Sequence, residues 1–248
     1  MNKKILTLII SLALLGSSCT DFLGVDEKNP NTASEVPAKL ILPAALNSVA
    51  TIMNTPGNYD FIYLWHGLWS ISSGYSQPAQ TVQYNFTSSS YTGPFSNYYY
   101  AGQNFTEIEK SSTDPKDGAY KAIAMIMKAY LMHNLVDIWG NVPYSEAFKT
   151  EEGILKPKYD DQKAIYEDLI VKLDAAIKII QELPADATEI PASSDIVFGG
   201  DVHLWAKFAN TLKLRMLVHQ SGMTGRDSYI KSAIATTASV GYLGAGEG

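Results

Sequence analysis

Asp161-Gln-Lys-Ala-Ile-Tyr-Glu-Asp-Leu-Ile-Val-Lys-Leu-Asp-Ala-Ala-Ile-Lys-Ile-Ile-Gln-Glu-Leu183 is the stretch that decides the fold. Ile165, Leu169, Leu173, Ala176, Ile177 and Ile180 recur at three- and four-residue steps, which places them on one stripe of an α-helix. Asp160 and Asp161 stand where carboxylates cap a first turn and favour its positive end. Pro184 stops the helix. Upstream, Ala119 to Trp139 is apolar on most faces (Ile123, Met125, Ile126, Met127, Tyr130, Leu131, Leu135), the pattern of a central helix. Gly140 ends it. Downstream, Val202 to Gln220 aligns Leu204, Trp205, Phe208, Leu212 and Met216, and leaves Lys207 and Arg215 outward. Further helices are expected over about 94–110 and 227–240. Leu42, Leu46, Val49 and Met53 predict another, with Pro43 in its opening turn and Thr55-Pro56-Gly57-Asn58 as its stop. Tyr59 to Ser76 reads as helical and aromatic-rich, and 79–93 as an exposed loop. No segment reads as a strand with a partner. The expected fold is all-α: helix–turn–helix pairs, 94–110 with 119–139 and 161–183 with 202–220, stacked in a tetratricopeptide-like bundle with irregular aromatic-rich loops. The strict 34-residue repeat sequence is absent.

The N-terminus carries a different signal. Lys3 and Lys4 precede the uncharged run Ile5 to Leu15, and Gly16-Ser17-Ser18 leads to Cys19, the single cysteine of the chain. Basic start, apolar middle and small-residue exit are the layout of an export signal. The apolar run is far shorter than the roughly 20 residues that span a bilayer. Cys19 after small residues reads as a lipobox, although Leu15 lies four positions before it rather than three. The expected organisation is a lipoprotein signal peptide at 1–18, a lipidated tether at 19–36 and a helical domain at 37–248. Removing 1–18 leaves 17 basic and 25 acidic residues, a net charge of −8. An acidic chain without a basic cluster does not suit nucleic acid. With no second cysteine there is no disulfide within the chain, so the core holds by packing. Tyr242-Leu-Gly-Ala-Gly-Glu-Gly248 reads as the opening of a loop with no closing element, as in a protein that continues C-terminally.

Four segments resemble the SusD-like (SusD/RagB) family of nutrient-binding outer-membrane lipoproteins of Bacteroidetes. They are Cys19-Thr-Asp-Phe-Leu, Asp137-Ile-Trp-Gly-Asn-Val-Pro-Tyr-Ser-Glu-Ala147, Pro157-Lys-Tyr-Asp-Asp-Gln-Lys-Ala-Ile-Tyr166 and Phe198-Gly-Gly-Asp-Val-His-Leu-Trp-Ala-Lys-Phe-Ala-Asn-Thr-Leu-Lys-Leu-Arg-Met216. Asn141, Phe198 and His203 depart from the family's usual Asp, Tyr and Lys, and family members are about twice as long. The resemblance implies a tetratricopeptide-like helical fold anchored by lipid on Cys19 at the cell surface. It also implies a lid over a SusC-like TonB-dependent barrel, capturing a glycan or other oligomeric nutrient without chemistry.

The residues themselves offer little for catalysis. No G-x-S-x-G, Walker A, G-x-G-x-x-G or H-E-x-x-H is present. His66, His133, His203 and His219 show no ligand spacing, so neither a metal site nor a cofactor is expected. The aromatics stand out instead: 15 Tyr, 8 Phe and 4 Trp, concentrated between Tyr59 and Phe105. Sugar rings stack their C–H faces on aromatic planes, and Tyr and Trp add polar tips. Trp65 and Trp69 lie four apart and would share a face of one helix. Trp65, Trp69, Tyr75 and Tyr99 are the candidate ligand residues, and in the run Tyr98 to Tyr100 at least one ring should reach the surface. The alternatives are a helical-repeat lipoprotein adaptor that binds only protein partners, and a hydrolase with two carboxylates flanking a sugar bond.

Overall fold

A computed structural model describes residues 36–55, 58, 60–70, 74 and 79–247. The leader, Cys19, nearly all of the tether and Tyr75 lie outside the described residues. The elements run α1 (Ala38–Asn54), α2 (Asp60–Trp65), α3 (Ala79–Val82), α4 (Thr92–Ser111), α5 (Gly118–Trp139), β1 (Val142–Pro143), β2 (Tyr159–Asp160), α6 (Gln162–Gln181), α7 (Val202–His219) and α8 (Asp227–Ala235). α5 packs chiefly on α4 and α6, α4 on α1, α6 on α7, and α7 on α8. The two expected hairpins, α4–α5 and α6–α7, are therefore present and lie against each other through α5 and α6.

α5 is the centre. Of its 22 residues 14 are buried, on nearly every face. Gly140 closes it with a φ of +72°, its N–H donating to the Val136 carbonyl. The core continues through Leu42 and Leu46 of α1, Phe105 and Ile108 of α4, Leu169, Leu173 and Ile177 of α6, and Trp205, Leu212 and Met216 of α7.

Some details differ from expectation. α1 begins at Ala38, so Pro43 lies inside the helix rather than in its first turn. Pro37 sets the boundary, and Pro43 forfeits one backbone hydrogen bond. Two short strands form where none was expected: β1 and β2 pair antiparallel, Val142 opposite Asp160 and Pro143 opposite Tyr159. A two-residue strand is too short for any period to register in the sequence.

That pairing explains two of the four family-like segments. Asp161 alone caps α6, accepting from the Ala164 N–H. Asp160 turns the other way and accepts from the N–H groups of Tyr144 and Ser145 and from Ser145 Oγ at 2.7–3.1 Å. Asn141 Oδ1 accepts from the Gln162 N–H and Glu146 from the Lys158 N–H. Tyr144 donates to Asp168, and Tyr99 donates to the Pro143 carbonyl. The segments 141–146 and 158–162 thus form one clamp between the end of α5 and the start of α6.

The fourth segment is a second clamp. Asp195, almost fully buried, accepts from the N–H groups of Val197, Phe198 and Gly200 and from the Trp205 indole N–H at 2.8–3.1 Å. Gly200 has φ +91°, and a Cβ there would lie 2.2 Å from the Ile190 carbonyl oxygen, so only glycine fits. Asp201 caps α7. Lys207 pairs with Glu247 at 2.5 Å and Arg215 is exposed. Asn210 and Lys213 are buried instead. Asn210 holds Thr237 and the Gly241 carbonyl, and Lys213 holds Asp174 at 2.5 Å together with Thr236 and Thr237.

The two clamps should respond differently to substitution. Asp195→Ala leaves buried donors unmet and should cost about 3 kcal/mol or more, whereas water can replace Asp160, so Asp160→Ala should cost about 1–2 kcal/mol. Denaturant unfolding of both variants measures the contrast. Some burial opposes ionisation of Asp160, but the Ser145 and Tyr144 donors and Lys158 outweigh it and hold the carboxyl below its ordinary 3.8. Its contribution is complete above the unfolded value and is lost as pH falls through the folded one. Asp160→Asn should therefore flatten the loss of stability below about pH 4, read from melting temperature against pH.

Candidate ligand-binding site

α2 and the segment after α3 build an aromatic cluster. α2 stops at Trp65 because Gly67 adopts φ +68°: the Leu68 N–H returns to the Tyr63 carbonyl and the Gly67 N–H to the Leu64 carbonyl. This is the glycine-closed helix end in which both terminal carbonyls are satisfied. Trp69 consequently leaves the helix and folds back over Tyr63, with ring centroids 4.5 Å apart and planes at 18°. The shared helix face expected for Trp65 and Trp69 does not form; Gly67 in their interval was the signal that separates them.

Trp65 stacks instead on Tyr84, at 4.6 Å and 24°. The edges of Phe61 and Phe86 abut it, and its indole N–H donates to the Thr81 carbonyl at 2.9 Å. Tyr91 closes the cluster against Phe61 and Phe86 and donates to Asp60 Oδ1 at 2.5 Å. Burial, helped by the Asp60 carboxylate, raises the Tyr91 pKa, so its hydroxyl keeps its proton.

Tyr84 and Tyr91 both have positive φ, +56° and +57°. Such a conformation is strained for an aromatic residue and concentrates at functional positions. Tyr84 spends that strain on a ring that is 65% exposed, against 37% for Trp65 and 42% for Trp69. Tyr84 is thus the outermost platform of the cluster, with its inner face fixed by Trp65.

The run on α4 resolves as its geometry demands. Tyr98 is buried, Tyr100 is 72% exposed and Tyr99 is half-buried between Phe95 and Phe148. The Tyr99 hydroxyl is committed to the Pro143 carbonyl, and burial drives its pKa far up. Tyr99 therefore packs, and Tyr100 is the ring open to a ligand. A groove of about 330 Å³ lies beside Tyr100 between α1 and α4, lined by Asn47, Thr51, Asn58, Asn97 and Asn104. Its amides and hydroxyl offer donors and acceptors suited to sugar hydroxyls. Tyr100 is the surface ring expected of the run Tyr98 to Tyr100, but sequence reading did not single out Tyr84 or Tyr100 and missed this groove, because exposure and left-handed backbone carry no period.

His133 and His219, 86 residues apart, meet beside Asp137; His66 and His203 are exposed. Among the described residues no helix is long and apolar enough to cross a membrane.

The fold and these motifs define a helical, aromatic-surfaced member of a known class. Residues 29–244 match the SusD-like family model described as "Starch-binding associating with outer membrane", and the chain belongs to that family. Among solved structures, a SusD homologue from Bacteroides fragilis is 25% identical over 84% of this chain, with a TM-score of 0.63. A SusD/RagB family protein from Bacteroides thetaiotaomicron is 21% identical over 86%, with a TM-score of 0.68. A chitin-binding SusD homologue from Flavobacterium johnsoniae is 19% identical over 82%, with a TM-score of 0.64. This chain covers 42%, 44% and 43% of those three, less than half of each. No curated protein sequence matches it.

Tyr84→Gly removes an exposed ring and relieves about 1 kcal/mol or more of backbone strain, against the added flexibility of glycine. The melting temperature should stay level or rise slightly, and tryptophan emission should shift to the red as Trp65 loses its cover. A fall of several degrees would assign the ring to the fold instead.

Proposed function

We propose that this chain is part of a non-enzymatic, cell-surface lipoprotein that captures a glycan or related oligomeric nutrient. It would be held to the outer membrane by lipid on Cys19 and would deliver its ligand to a SusC-like TonB-dependent transporter. The observation that carries the reading is the Trp65–Tyr84 stack, whose outer ring is held exposed by a strained backbone. Such a platform offers a plane for the apolar C–H faces of a sugar, and the amide-lined groove beside Tyr100 offers partners for its hydroxyls. Family membership supports the reading, as does the chitin-binding SusD homologue among its solved relatives. Trp65, Tyr84 and Tyr100 are the ligand residues we favour, with Trp69 beside Tyr63 as a second platform. Tyr75 keeps its place as a candidate. Tyr99 serves as a support.

Calorimetric titration with an α-1,4-glucan oligosaccharide and a chitin oligosaccharide tests this. Binding of at least one is expected, weakened about five- to tenfold by Tyr84→Ala, in keeping with about 1–1.5 kcal/mol for a lost stack. Equal affinity in Tyr84→Ala would place the ligand away from this platform, and binding of neither while a barrel protein co-purifies would favour a purely protein-binding adaptor. Lipidation is tested separately by metabolic labelling with a palmitate analogue, which Cys19→Ser should abolish.

A further inference from the structure

Where α5 meets α7, three potential ligand atoms converge. His133 Nε2 lies 3.3 Å from His219 Nδ1, and each lies 3.2 Å from Asp137 Oδ2. His133 and Asp137 are one helical turn apart on α5, and His219 is the last residue of α7. His133 is fully buried, while Asp137 and His219 are 26% and 37% exposed, so the triangle has a closed floor and one open side.

Hydrogen bonding among the three groups is frustrated. Each imidazole nitrogen presents either a proton or a lone pair to both neighbours. With Asp137 ionised, a lone pair on either nitrogen confronts the carboxylate, and protons on both confront each other. The Tyr166 hydroxyl also lies 3.3 Å from His219 Nδ1, so each group can find a single partner, but with Asp137 ionised no placement of protons bonds all three edges of the triangle. A central cation would accept a lone pair from each atom at once.

The dimensions fit a particular ion. Four ligands about 2.0 Å from a tetrahedral zinc ion stand about 3.3 Å from one another. The observed edges of 3.2, 3.2 and 3.3 Å match one face of that tetrahedron. Two imidazoles and one carboxylate are a donor set that zinc accepts, and the open side leaves its fourth position to water. Tyr166 on α6 donates to Asp137 Oδ1, leaving Oδ2 directed at the centre. Such an outer partner orients a ligating carboxylate.

We propose that His133, Asp137 and His219 form a zinc site that pins the C-terminal end of α7 to α5, independent of the aromatic cluster. The test strips the purified chain with a chelator and titrates it with Zn²⁺ alone. One Zn²⁺ per chain is expected, with a rise in melting temperature on loading. His219→Ala, at an exposed helix end, should weaken binding by more than about a hundredfold, beyond the range of an outer-partner loss, and Tyr166→Phe by about tenfold. Asp137→Asn, which preserves volume, gives a second reading if His219→Ala disturbs the helix, as circular dichroism would show. Co²⁺ in place of Zn²⁺ should give the intense visible bands of a four-coordinate ion. Absence of stoichiometric Zn²⁺ binding, unchanged affinity in both ligand variants, or a six-coordinate Co²⁺ spectrum would overturn the assignment.

Discussion

The rest of the structure depends on the burial of α5. A helix of 22 residues with apolar side chains around most of its circumference cannot stay in water, and one partner helix can cover only one stripe of it. α4 and α6 must take separate faces, and α7 reaches it beside α6. The stacked hairpins are a way of surrounding one insoluble rod. Its few polar groups are then forced into defined company. His133, fully buried near the C-terminal end, faces Asp137 one turn on and His219 from α7.

The family-like segments are architecture rather than ligand site. The stretches after α5 and before α6 look independent in sequence, yet they form a single hydrogen-bonded clamp through Asp160, Asn141 and Glu146. The stretch leading into α7 closes on Asp195, which joins three backbone N–H groups to the indole of the core residue Trp205. Such clamps fix where helices begin and how hairpins turn, and the aromatic cluster of α2 and residues 84–91 takes no part in them. The residues that mark the family are therefore different from those proposed to meet the ligand.

The helices were legible because burial imposes a period. Ile165 to Ile180 on α6 and Trp205 to Met216 on α7 announce both elements and their inner faces. The site was less so. Trp65 and Trp69 were expected on one helix face, but Gly67 bends the chain between them and sends each ring to a different partner. Tyr84 could not be preferred over its neighbours, because its exposure rests on a positive φ that tyrosine does not advertise. Asp160 looked like a helix cap and acts across the turn instead. Nothing in the sequence marked Lys213 for burial, which Asp174, Thr236 and Thr237 make tolerable. The meeting of His133 and His219 was invisible for a simpler reason: they are 86 residues apart, and only the packing of α7 beside α5 joins them.

In this account the aromatic surface meets the ligand, and the helical core does no more than hold it out. Hydrogen–deuterium exchange, with and without a bound oligosaccharide, tests that division most directly. The account predicts slower exchange over residues 60–69 and 79–91 and along the Tyr100 face of α4, with α5 and α6 unchanged. Protection confined to α6, α7 or the turns between them, with the aromatic segments unaffected, would contradict it.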